Sequence, residues 1–596
     1  MRTIILPFIF STFLTLTVFS QEKDIAPIAT YEELPNPVAT DLAKWANISA
    51  ISVGWGSTDV RYKKEEPAVL DRNSGTIDLT AWKGEEVSAQ FVVSNKSGFR
   101  NMSYVIGDFI NQNDKKHRIK SENIFSGFIR YVMTDELNKN GQGSCGYRKS
   151  VDFDSTLVAD PIDHYAKSLQ IDPMNSQGVW IRTSIPSDAR PGLYKGTITV
   201  KADGKSINKL TMQIRVQDQV LPAAKDWKYH LDLWQNPFAV ARYYGVEPWS
   251  DAHFEVLRKE LRPYVDAGGK VITASIMHKP WNGQTYDYFE TMVTWMKKAD
   301  GTWAFDYTVF DKWVEFMISI GVDKQINCYS MIPWRLSFQY FDQATNSLKF
   351  EETKPGDSAY GEMWNAMLTS FAAHLKTKGW FEKTYISMDE RPMDAMLKTI
   401  DVIRKADPDY KISLAGALHD ELVHELDDYC VALRMKYSGE VVAKRRAEGK
   451  ITTFYTSCEE SRPNTFTFSP PAESEWFAWY AAKEGLDGFL RWALNSWVSK
   501  PLQDSRFTAW AGGDTYLIYP GARTSMRFER MKEGIQAYEK INILKEKFAQ
   551  NGDHNALEQL RSALSVFDET KLEEIPASEM IKKARTVVNR LSGSAK

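Results

Sequence analysis

The sequence is poor in cysteine and histidine and carries almost no net charge, and each shortage excludes a class of protein. Only 4 Cys and 9 His occur in 596 residues, and no CxxC or other metal-ligand spacing is present. Neither a small disulfide scaffold nor a zinc module is therefore expected. Lys plus Arg number 74 against 77 Asp plus Glu, a formal net charge of -3. No broad basic surface for nucleic acid follows from that balance, so nucleic acid is not an expected partner.

Motifs of several cofactor-dependent classes are also missing. The chain contains no P-loop, no H-E-x-x-H and no calcium-loop spacing. We therefore expect neither a cofactor nor a metal ion. After residue 20, no apolar run is long enough to suggest a membrane span.

The first twenty residues have the layout of a cleavable secretory signal. Arg2 precedes an apolar run without acidic residues, which ends at Ser20 before a polar stretch. A retained membrane anchor is the alternative, although the run is short for a span. We predict that 1–20 is a signal peptide and that the protein is exported, to the periplasm or outside the cell. Export permits a disulfide, and Cys430–Cys458 is the first pair to test, with free buried thiols as the alternative.

Aromatic residues are abundant: 19 Trp, 26 Tyr and 30 Phe. Exposed Trp and Tyr on a rigid scaffold commonly bind flat ligand faces such as sugar rings, whereas aromatic-rich cores are the alternative. At 596 residues the chain is too long for one hydrophobic core, so two or three domains are expected.

The first domain is predicted to be an antiparallel β-sandwich spanning 21–222. From about residue 48 to 220, short segments of alternating polarity are separated by Gly, Asn and Asp turns. Segments 87–93 and 194–200 show this period of two. Such a domain either binds sugar itself or supports a neighbouring domain.

The second domain, 223–530, is predicted to be a (β/α)8 barrel. Apolar strands alternate there with helical patterns, which favours a barrel, with a doubly wound sheet as the rival. A C-terminal helical segment is predicted over 531–596. The eight predicted strands begin near Tyr229, Val271, Gln325, Lys383, Tyr410, Cys430, Ile451 and Leu486.

Candidate substrate-binding residues lie near the ends of the predicted strands. A barrel of this kind binds its ligand at the carboxyl ends of the strands, and here those ends carry Trp, Asn, His and carboxylates. Flat aromatic faces beside fixed hydrogen-bonding groups are typical of a sugar cleft. The candidates are Asp232, His278, Trp281, Tyr329, Trp334, Trp492, Asn495, Trp497 and Asp514.

The fourth predicted strand ends in Asp389 and Glu390, the candidate catalytic residues. Because two adjacent desolvated carboxylates repel each other, one of them, Glu390, is expected to hold its proton more easily and to act as general acid. Two neighbouring residues do not easily span a sugar ring as acid and nucleophile. The pair better suits substrate assistance, in which a 2-acetamido group is the nucleophile and Asp389 orients it. An exposed ion-pair cluster with Arg391 is the structural alternative.

With the Asp389-Glu390 pair and longer blocks near the C-terminus, the sequence resembles glycoside hydrolase family 123, the retaining β-N-acetylgalactosaminidases of bacteria. The similarity lies in 387–392, 487–497, 513–521 and 527–530 and extends over essentially the whole mature chain. It implies a β-sandwich followed by a barrel, no cofactor, and glycans with terminal β-N-acetylgalactosamine, such as glycosphingolipid glycans, as substrate. It also implies that Asp389 stabilises the acetamido group and that Glu390 is the acid/base. The run 527–530 is predicted to tie the last helix to the barrel.

Two other functions stay open from the residues. One is a two-carboxylate glycosidase acting on an unsubstituted sugar, with Glu390 as acid and Asp232, Glu459 or Asp514 as its partner. The other is a non-catalytic glycan-binding protein. Galacto against gluco preference and the oligomeric state are not determined by the sequence.

Overall fold

A computed structural model describes residues 31–46, 48–70, 75–136 and 145–594. The predicted signal peptide, 1–20, lies outside the described residues. The chain forms an N-terminal β-rich domain, an eight-stranded parallel barrel and a C-terminal group of helices. This is the predicted architecture.

The N-terminal domain consists of two sheets that enclose one apolar core. Strand Gly192–Ala202 shows how the sequence produces it, because its residues alternate between buried and more exposed positions. The first sheet has the order Ile51–Gly56, Glu86–Asn95, Asn175–Ser184, Ile124–Thr134 and Thr156–Asp163. The second has the order Thr76–Lys83, Lys205–Val220, Gly192–Ala202, Phe99–Ile106 and Leu169–Ile171, with Phe109–Asn111 and Arg118–Ile119 beside it.

One strand pair of this domain departs from the predicted antiparallel pattern. Lys205–Val220 runs parallel to Thr76–Lys83, whereas the other paired strands of the two sheets, as far as the structure describes them, are antiparallel. The two strands are far apart in sequence, so no hairpin turn dictates their relative direction.

The barrel contains the eight parallel strands at the positions that the sequence predicts. Each begins within two residues of its predicted start, and most are buried along their whole length. In chain order they are His230–Leu233, Val271–Ser275, Gln325–Tyr329, Thr384–Met388, Lys411–Gly416, Asp428–Ala432, Ile451–Tyr455 and Gly488–Arg491.

The barrel closes between its first and second strands through few backbone bonds. Lys270 N donates to Leu231 O at 3.0 Å. The side chain of Gln235 supplies two more bonds, because its Oε1 accepts from Thr273 N at 3.0 Å and its Nε2 donates to Val271 O at 3.1 Å. The Gln235 side-chain amide thus replaces backbone hydrogen bonds between the first and second barrel strands.

One connection between consecutive barrel strands lacks an α-helix. The fifth and sixth strands are joined by a single 3-10 turn, Asp420–Leu422, and not by an α-helix. The described helices are Leu42–Ala46, Pro237–Tyr244, Asp251–Glu260, Arg262–Asp266, Thr308–Ile320, Ser358–Lys378, Met393–Ala406, Gly439–Ala447, Pro471–Glu484, Met526–Gln550, His554–Leu564 and Ala577–Ser594. The other 3-10 turns are Ser121–Asn123, Ser150–Asp152, Ala224–Asp226, Phe381–Lys383 and Glu569–Glu573.

A small four-stranded sheet, which the sequence did not predict, is inserted after the second and third barrel strands. Its order is Trp303–Asp306, Thr294–Lys297, Ser337–Asp342 and Ser347–Glu352. It packs on helix Ser358–Lys378, where the rings of Trp295 and Trp364 lie 4.9 Å apart.

The predicted boundary at residue 530 falls inside one continuous helix, Met526–Gln550. The first turn of this helix is buried, and its charged residues pair with the sandwich. Arg527 Nη2 lies 2.9 Å from Asp160, and Glu529 lies 2.7 Å from Arg182. The run 527–530 therefore ties the helix to the sandwich domain, and not only to the barrel as predicted.

The disulfide joins Cys145 to Cys458, so the predicted Cys430–Cys458 pair is wrong. Cys430 is a buried free thiol on the sixth barrel strand, like Cys328 on the third. Cys430 pairs in register with Thr453, five residues before Cys458, and Cys458 lies in the loop beyond that strand. A residue inside the barrel wall therefore does not reach the loop, whereas Cys145 of the sandwich domain does. Among the described helices, none has the length and apolarity to cross a membrane.

Candidate active site

Asp389 and Glu390 lie at the carboxyl end of the fourth barrel strand, as predicted. The strand Thr384–Met388 is fully buried, and helix Met393–Ala406 begins directly after Pro392. The two carboxylates therefore occupy the short turn between a rigid strand and a helix. That turn opens into a pocket at the mouth of the barrel, which both residues line.

Two hydrogen bonds fix the carboxylate of Asp389. Trp334 Nε1 donates to Oδ2 at 3.1 Å, and the backbone N–H of Glu390 donates to Oδ1 at 2.9 Å. Burial raises the pKa of Asp389, while the indole N–H groups of Trp334 and Trp281 and the charge of Arg391 act in the opposite direction. Both oxygens thus accept bonds that favour the ionised form.

Glu390 is bonded to a residue from a distant barrel strand. The hydroxyl of Tyr455, the last residue of the seventh strand, donates to Glu390 Oε1. Burial in the pocket raises the pKa of Glu390, the Tyr455 bond lowers it, and the negative charge of Asp389 raises it again. A carboxyl whose pKa is raised in this way is suited to donate a proton near neutral pH.

Arg391 does not form the ion-pair cluster that was the structural alternative. Its Nε donates to the carbonyl of Ile332 at 3.0 Å, and its guanidinium lies 4.0 Å from the ring centre of Trp334. Among the described residues, neither Asp389 nor Glu390 has a basic side chain within salt-bridge distance. Arg391 therefore supports the Trp334 ring, and the two carboxylates stay available to a ligand.

Aromatic rings build one wall of the pocket. Trp234 and Trp281, which follow the first and second barrel strands, lie 4.7 Å apart with their planes tilted by 32°. The pocket encloses a volume of about 120 Å³ and is open at its mouth. Its lining residues are Trp234, Trp281, Gln284, Trp334, Asp389, Glu390, Ala415, Tyr455, Thr456, Ser457, Cys458, Leu490, Trp492, Trp510 and Asp514.

A buried ion pair holds Asp514 at the opposite wall. Arg491, the last residue of the eighth strand, pairs with Asp514 Oδ1, and Trp492 Nε1 donates to the same oxygen at 3.3 Å. Oδ2 of Asp514 has no hydrogen-bond partner among the described residues. Burial raises the pKa of Asp514 and the charge of Arg491 lowers it. The carboxylate of Asp514 is thus buried in the pocket wall and held there by Arg491 and Trp492.

The structure brings six of the predicted site residues together around the pocket. They are Trp281, Trp334, Asp389, Glu390, Trp492 and Asp514. Tyr329 is buried below the aromatic wall, with its ring 4.6 Å from Trp234 and 5.1 Å from Trp281. It supports the wall and, unlike the six, does not line the pocket.

Four other predicted site residues do not line the pocket, and their side chains have partners elsewhere. Asn495 exchanges two hydrogen bonds with the backbone of Asn236, and Trp497 is fully buried with its Nε1 bonded to Ile518 O at 2.8 Å. His278 bonds to Glu290 and does not line the pocket. Asp232 is buried inside the barrel, where it accepts from Asn327 Nδ2 at 3.3 Å.

Several pocket residues escaped the sequence prediction. Trp234 and Tyr455 lie at strand ends, and the same rule that selected Trp281 selects them too. Gln284 lies three residues after Trp281 in the loop beyond the second strand, whereas Trp510 lies in a long loop far from any strand end, and no sequence signal marks it. Only the folding of those loops back over the barrel places them in the pocket.

A larger cleft lies between the sandwich and the C-terminal helices. Its charged residues pair with one another: Lys540 lies 2.9 Å from Glu85, and Arg530 pairs with Glu533. Neither carboxylate of the candidate pair lines it, so the chemistry is assigned to the barrel mouth. Within the described part of the chain, no three His, Cys, Asp or Glu side chains are grouped as metal ligands.

Two family models match the chain. The model "Glycoside hydrolase 123, catalytic domain" matches residues 234–544, and the model "Glycoside hydrolase 123 N-terminal domain" matches residues 55–202. The first covers the barrel and the helix after it, and the second covers most of the sandwich.

One solved structure gives the same result, and a second has only a low similarity. A family 123 glycoside hydrolase from Clostridium perfringens, described for glycolipid glycan hydrolysis, is 29% identical over 92% of this chain and 99% of its own, with a TM-score of 0.81. A xyloglucanase of family 5 from Bacteroides ovatus is 9% identical over 78% of this chain and 99% of its own, with a TM-score of 0.29. No curated protein matches the sequence.

Proposed function

The chain belongs to glycoside hydrolase family 123, and from that premise we propose that it removes terminal β-linked N-acetylgalactosamine from glycans with retention of configuration. The reaction proceeds through an oxazoline formed by the substrate's own 2-acetamido group. One observation carries the proposal: Asp389 is held by two N–H donors beside Glu390, in one pocket at the barrel mouth.

Asp389 serves the acetamido group. The carbonyl oxygen of that group attacks the anomeric carbon, and positive charge develops on its nitrogen. An ionised carboxylate that accepts the amide N–H orients the group and stabilises this charge. The N–H bonds from Trp334 and from the backbone of Glu390 favour the ionised form of Asp389 against the effect of burial and hold the carboxylate in a fixed position.

Glu390 is the acid and then the base. It donates its proton to the glycosidic oxygen as the bond to the anomeric carbon breaks, and the aglycone leaves as an alcohol. The resulting carboxylate then takes a proton from the water that adds to the anomeric carbon and opens the oxazoline. Its pKa, raised by burial and by Asp389, favours the protonated state that the first step requires.

The placement of the possible partner carboxylates argues against the two-carboxylate alternative. Asp232 is buried away from the pocket lining, and Glu459 is paired with Arg434 outside that lining. Asp514 is in the pocket but is already bound to Arg491 and Trp492. None of the three is a free carboxylate facing Glu390, whereas Asp389 beside it suits substrate assistance.

The relative from Clostridium perfringens, described for glycolipid glycan hydrolysis, supports glycosphingolipid-type glycans as the substrate class. A pocket with walls on several sides suits removal of a single terminal sugar, so the proposed enzyme is exo-acting. We also propose that the protein is exported, because the signal-like segment 1–20 is followed by a chain with a disulfide between two domains.

The test is a panel of chromogenic β-glycosides offered to the wild type, Asp389→Asn and Glu390→Gln. We expect cleavage of N-acetyl-β-galactosaminides and not of β-galactosides, with rate losses of about 10²–10⁴-fold in both variants. Equal rates on the β-galactoside would favour the two-carboxylate mechanism, and the absence of any hydrolysis would favour a glycan-binding protein. A thiazoline analogue of the oxazoline should inhibit the wild type, and a lack of inhibition would argue against substrate assistance.

A further inference from the structure

We propose that residues 145–148 of the sandwich domain, held by the Cys145–Cys458 disulfide, position the Trp510 wall of the pocket and so set its affinity for substrate. We call residues 145–148 the tether segment. The inference rests on the proposed function and adds a positioning role for a part of the chain outside the catalytic barrel.

The disulfide joins the sandwich domain to the pocket itself. Cys145 and Cys458 are 313 residues apart in sequence. Cys458 lies three residues beyond the end of the seventh barrel strand and is one of the pocket-lining residues. Tyr455, which bonds to Glu390, ends that same strand. The covalent link therefore reaches the wall of the candidate site.

Backbone pairing joins the tether segment to the loop that carries Trp510. Gly146 N donates to Ala509 O at 3.1 Å, and Arg148 N donates to Thr508 O at 2.6 Å. Cys145 itself forms an antiparallel bridge with Trp510. The tether segment is thus an added strand along this loop.

Trp510 connects the tether segment to the pocket. Its Nε1 donates to Gln284 O at 2.8 Å, and its ring lies edge-on to Trp492 at 5.6 Å. Trp492 in turn bonds to Asp514. All four residues line the pocket, so a displacement of the loop at Trp510 changes the shape of the sugar site.

Packing alone does not hold the tether segment in place. Cys145 and Gly146 are exposed, and the side chain of Tyr147 is 78% exposed. Arg148 anchors the far end through the buried Asp135 and through Phe507 O. The exposed residues bury little apolar surface and gain little stability from packing. The disulfide therefore holds this end of the tether segment close enough to the Trp510 loop for the backbone hydrogen bonds to form.

The effect should fall on binding and not on chemistry. Asp389 and Glu390 are fixed by Trp334, Tyr455 and their own backbone, none of which belongs to the tether segment. Loss of the disulfide therefore loosens a wall that contacts substrate and transition state alike. An interaction of that kind raises KM and leaves kcat nearly unchanged when it is removed.

The experiment compares the wild type with Cys145→Ser on an aryl N-acetyl-β-galactosaminide. We expect KM to rise by about 3–10-fold and kcat to change by less than about twofold. Dithiothreitol, which reduces the exposed disulfide to two thiols, should raise the KM of the wild type equally and leave that of Cys145→Ser unchanged. Reoxidation should restore the wild-type value, a result that a nonspecific loss of structure would not give.

A double-mutant cycle with Trp510→Ala separates positioning from a general structural role. If the tether segment acts through Trp510, the second substitution adds little to the KM of the first, and the two effects are not additive. Additive effects of the two substitutions on KM would overturn the proposal. An unchanged KM in the reduced wild type, with reduction of both cysteines verified by mass spectrometry, would overturn it too. If Cys145→Ser does not fold, the KM of the reduced wild type still tests the proposal. Failure of the wild type to hydrolyse any N-acetyl-β-hexosaminide would instead reject the proposed function.

Discussion

The Tyr455 hydroxyl donates a hydrogen bond to Glu390, although Tyr455 ends the seventh barrel strand and Glu390 follows the fourth. The bond selects one rotamer of the candidate acid and favours its ionised form. It thereby opposes burial and the charge of Asp389, both of which favour the protonated form. The pKa of Glu390 is set by the balance of these three effects, and each can be changed separately by substitution.

Tyr455→Phe should shift the basic limb of the activity profile to higher pH. A donor to a carboxylate lowers its pKa, so removal of the hydroxyl raises the pKa of Glu390 further and keeps the acid protonated to higher pH. The measurement is kcat/KM against pH for both proteins. Tyr437→Phe is the control, because the Tyr437 hydroxyl bonds to Tyr429 O and does not contact Glu390. A shift to lower pH would contradict the assignment of Glu390 as acid.

Trp334→Phe should move the acidic limb to higher pH and reduce kcat. Without the indole N–H, the pKa of Asp389 rises, so this residue becomes protonated and inactive at a higher pH than in the wild type. Loss of one such positioning bond costs about 10-fold or more in rate. Trp303→Phe, on the inserted sheet, is the matched control. An acidic limb that stays in place would show that Asp389 does not control it.

Asp232→Asn should stabilise the protein at pH 8 and leave activity nearly intact. Burial raises the pKa of Asp232 from 3.8 to about 7, so the folded chain retains a proton that the unfolded chain releases between these values. Its stability contribution is present below about pH 4 and is lost as the pH rises through 7. The substitution, which mimics the neutral form, should therefore raise the Tm at pH 8 more than at pH 5. A rate loss as large as that of Glu390→Gln would restore the two-carboxylate mechanism.

Asp160→Asn should destabilise the joint between sandwich and barrel. The fully buried carboxylate of Asp160 pairs with Arg527 and with Arg61, each at 2.9 Å. Burial raises its pKa, but the two guanidinium groups outweigh that effect and lower it overall. Loss of the charge leaves two buried cations without a counter-ion, at a cost of about 3–5 kcal/mol in unfolding free energy.

The control for that substitution is Glu546→Gln, which breaks an exposed ion pair with Lys228 whose side chains are 57% and 63% exposed. An exposed pair of this kind contributes at most about 1 kcal/mol. Thermal unfolding of both variants gives the comparison. Equal Tm values would show that the sandwich is not held by the Asp160 cluster.

The sequence by itself determined the barrel and the position of the candidate catalytic pair. Buried parallel strands need continuous apolar runs, so the sequence predicted the first residue of each of the eight strands to within two residues. Asp389 and Glu390 directly follow one of these runs. Trp281, Trp334 and Trp492 were found because they follow strands that end at the same edge, whereas Asp514 lies in the block 513–521 that carries the family resemblance.

Only the tertiary structure decided how the long loops fold over that edge. Asn495 and Trp497 satisfy the same sequence rule as Trp492, yet backbone partners from neighbouring loops bury them. Trp510 does not follow a strand end and still lines the pocket. Cys458 forms its disulfide with a residue 313 positions away. Local periodicity specifies strands because it reflects short-range geometry, whereas loop contacts and disulfide pairing depend on distances that exist only after the domains have packed.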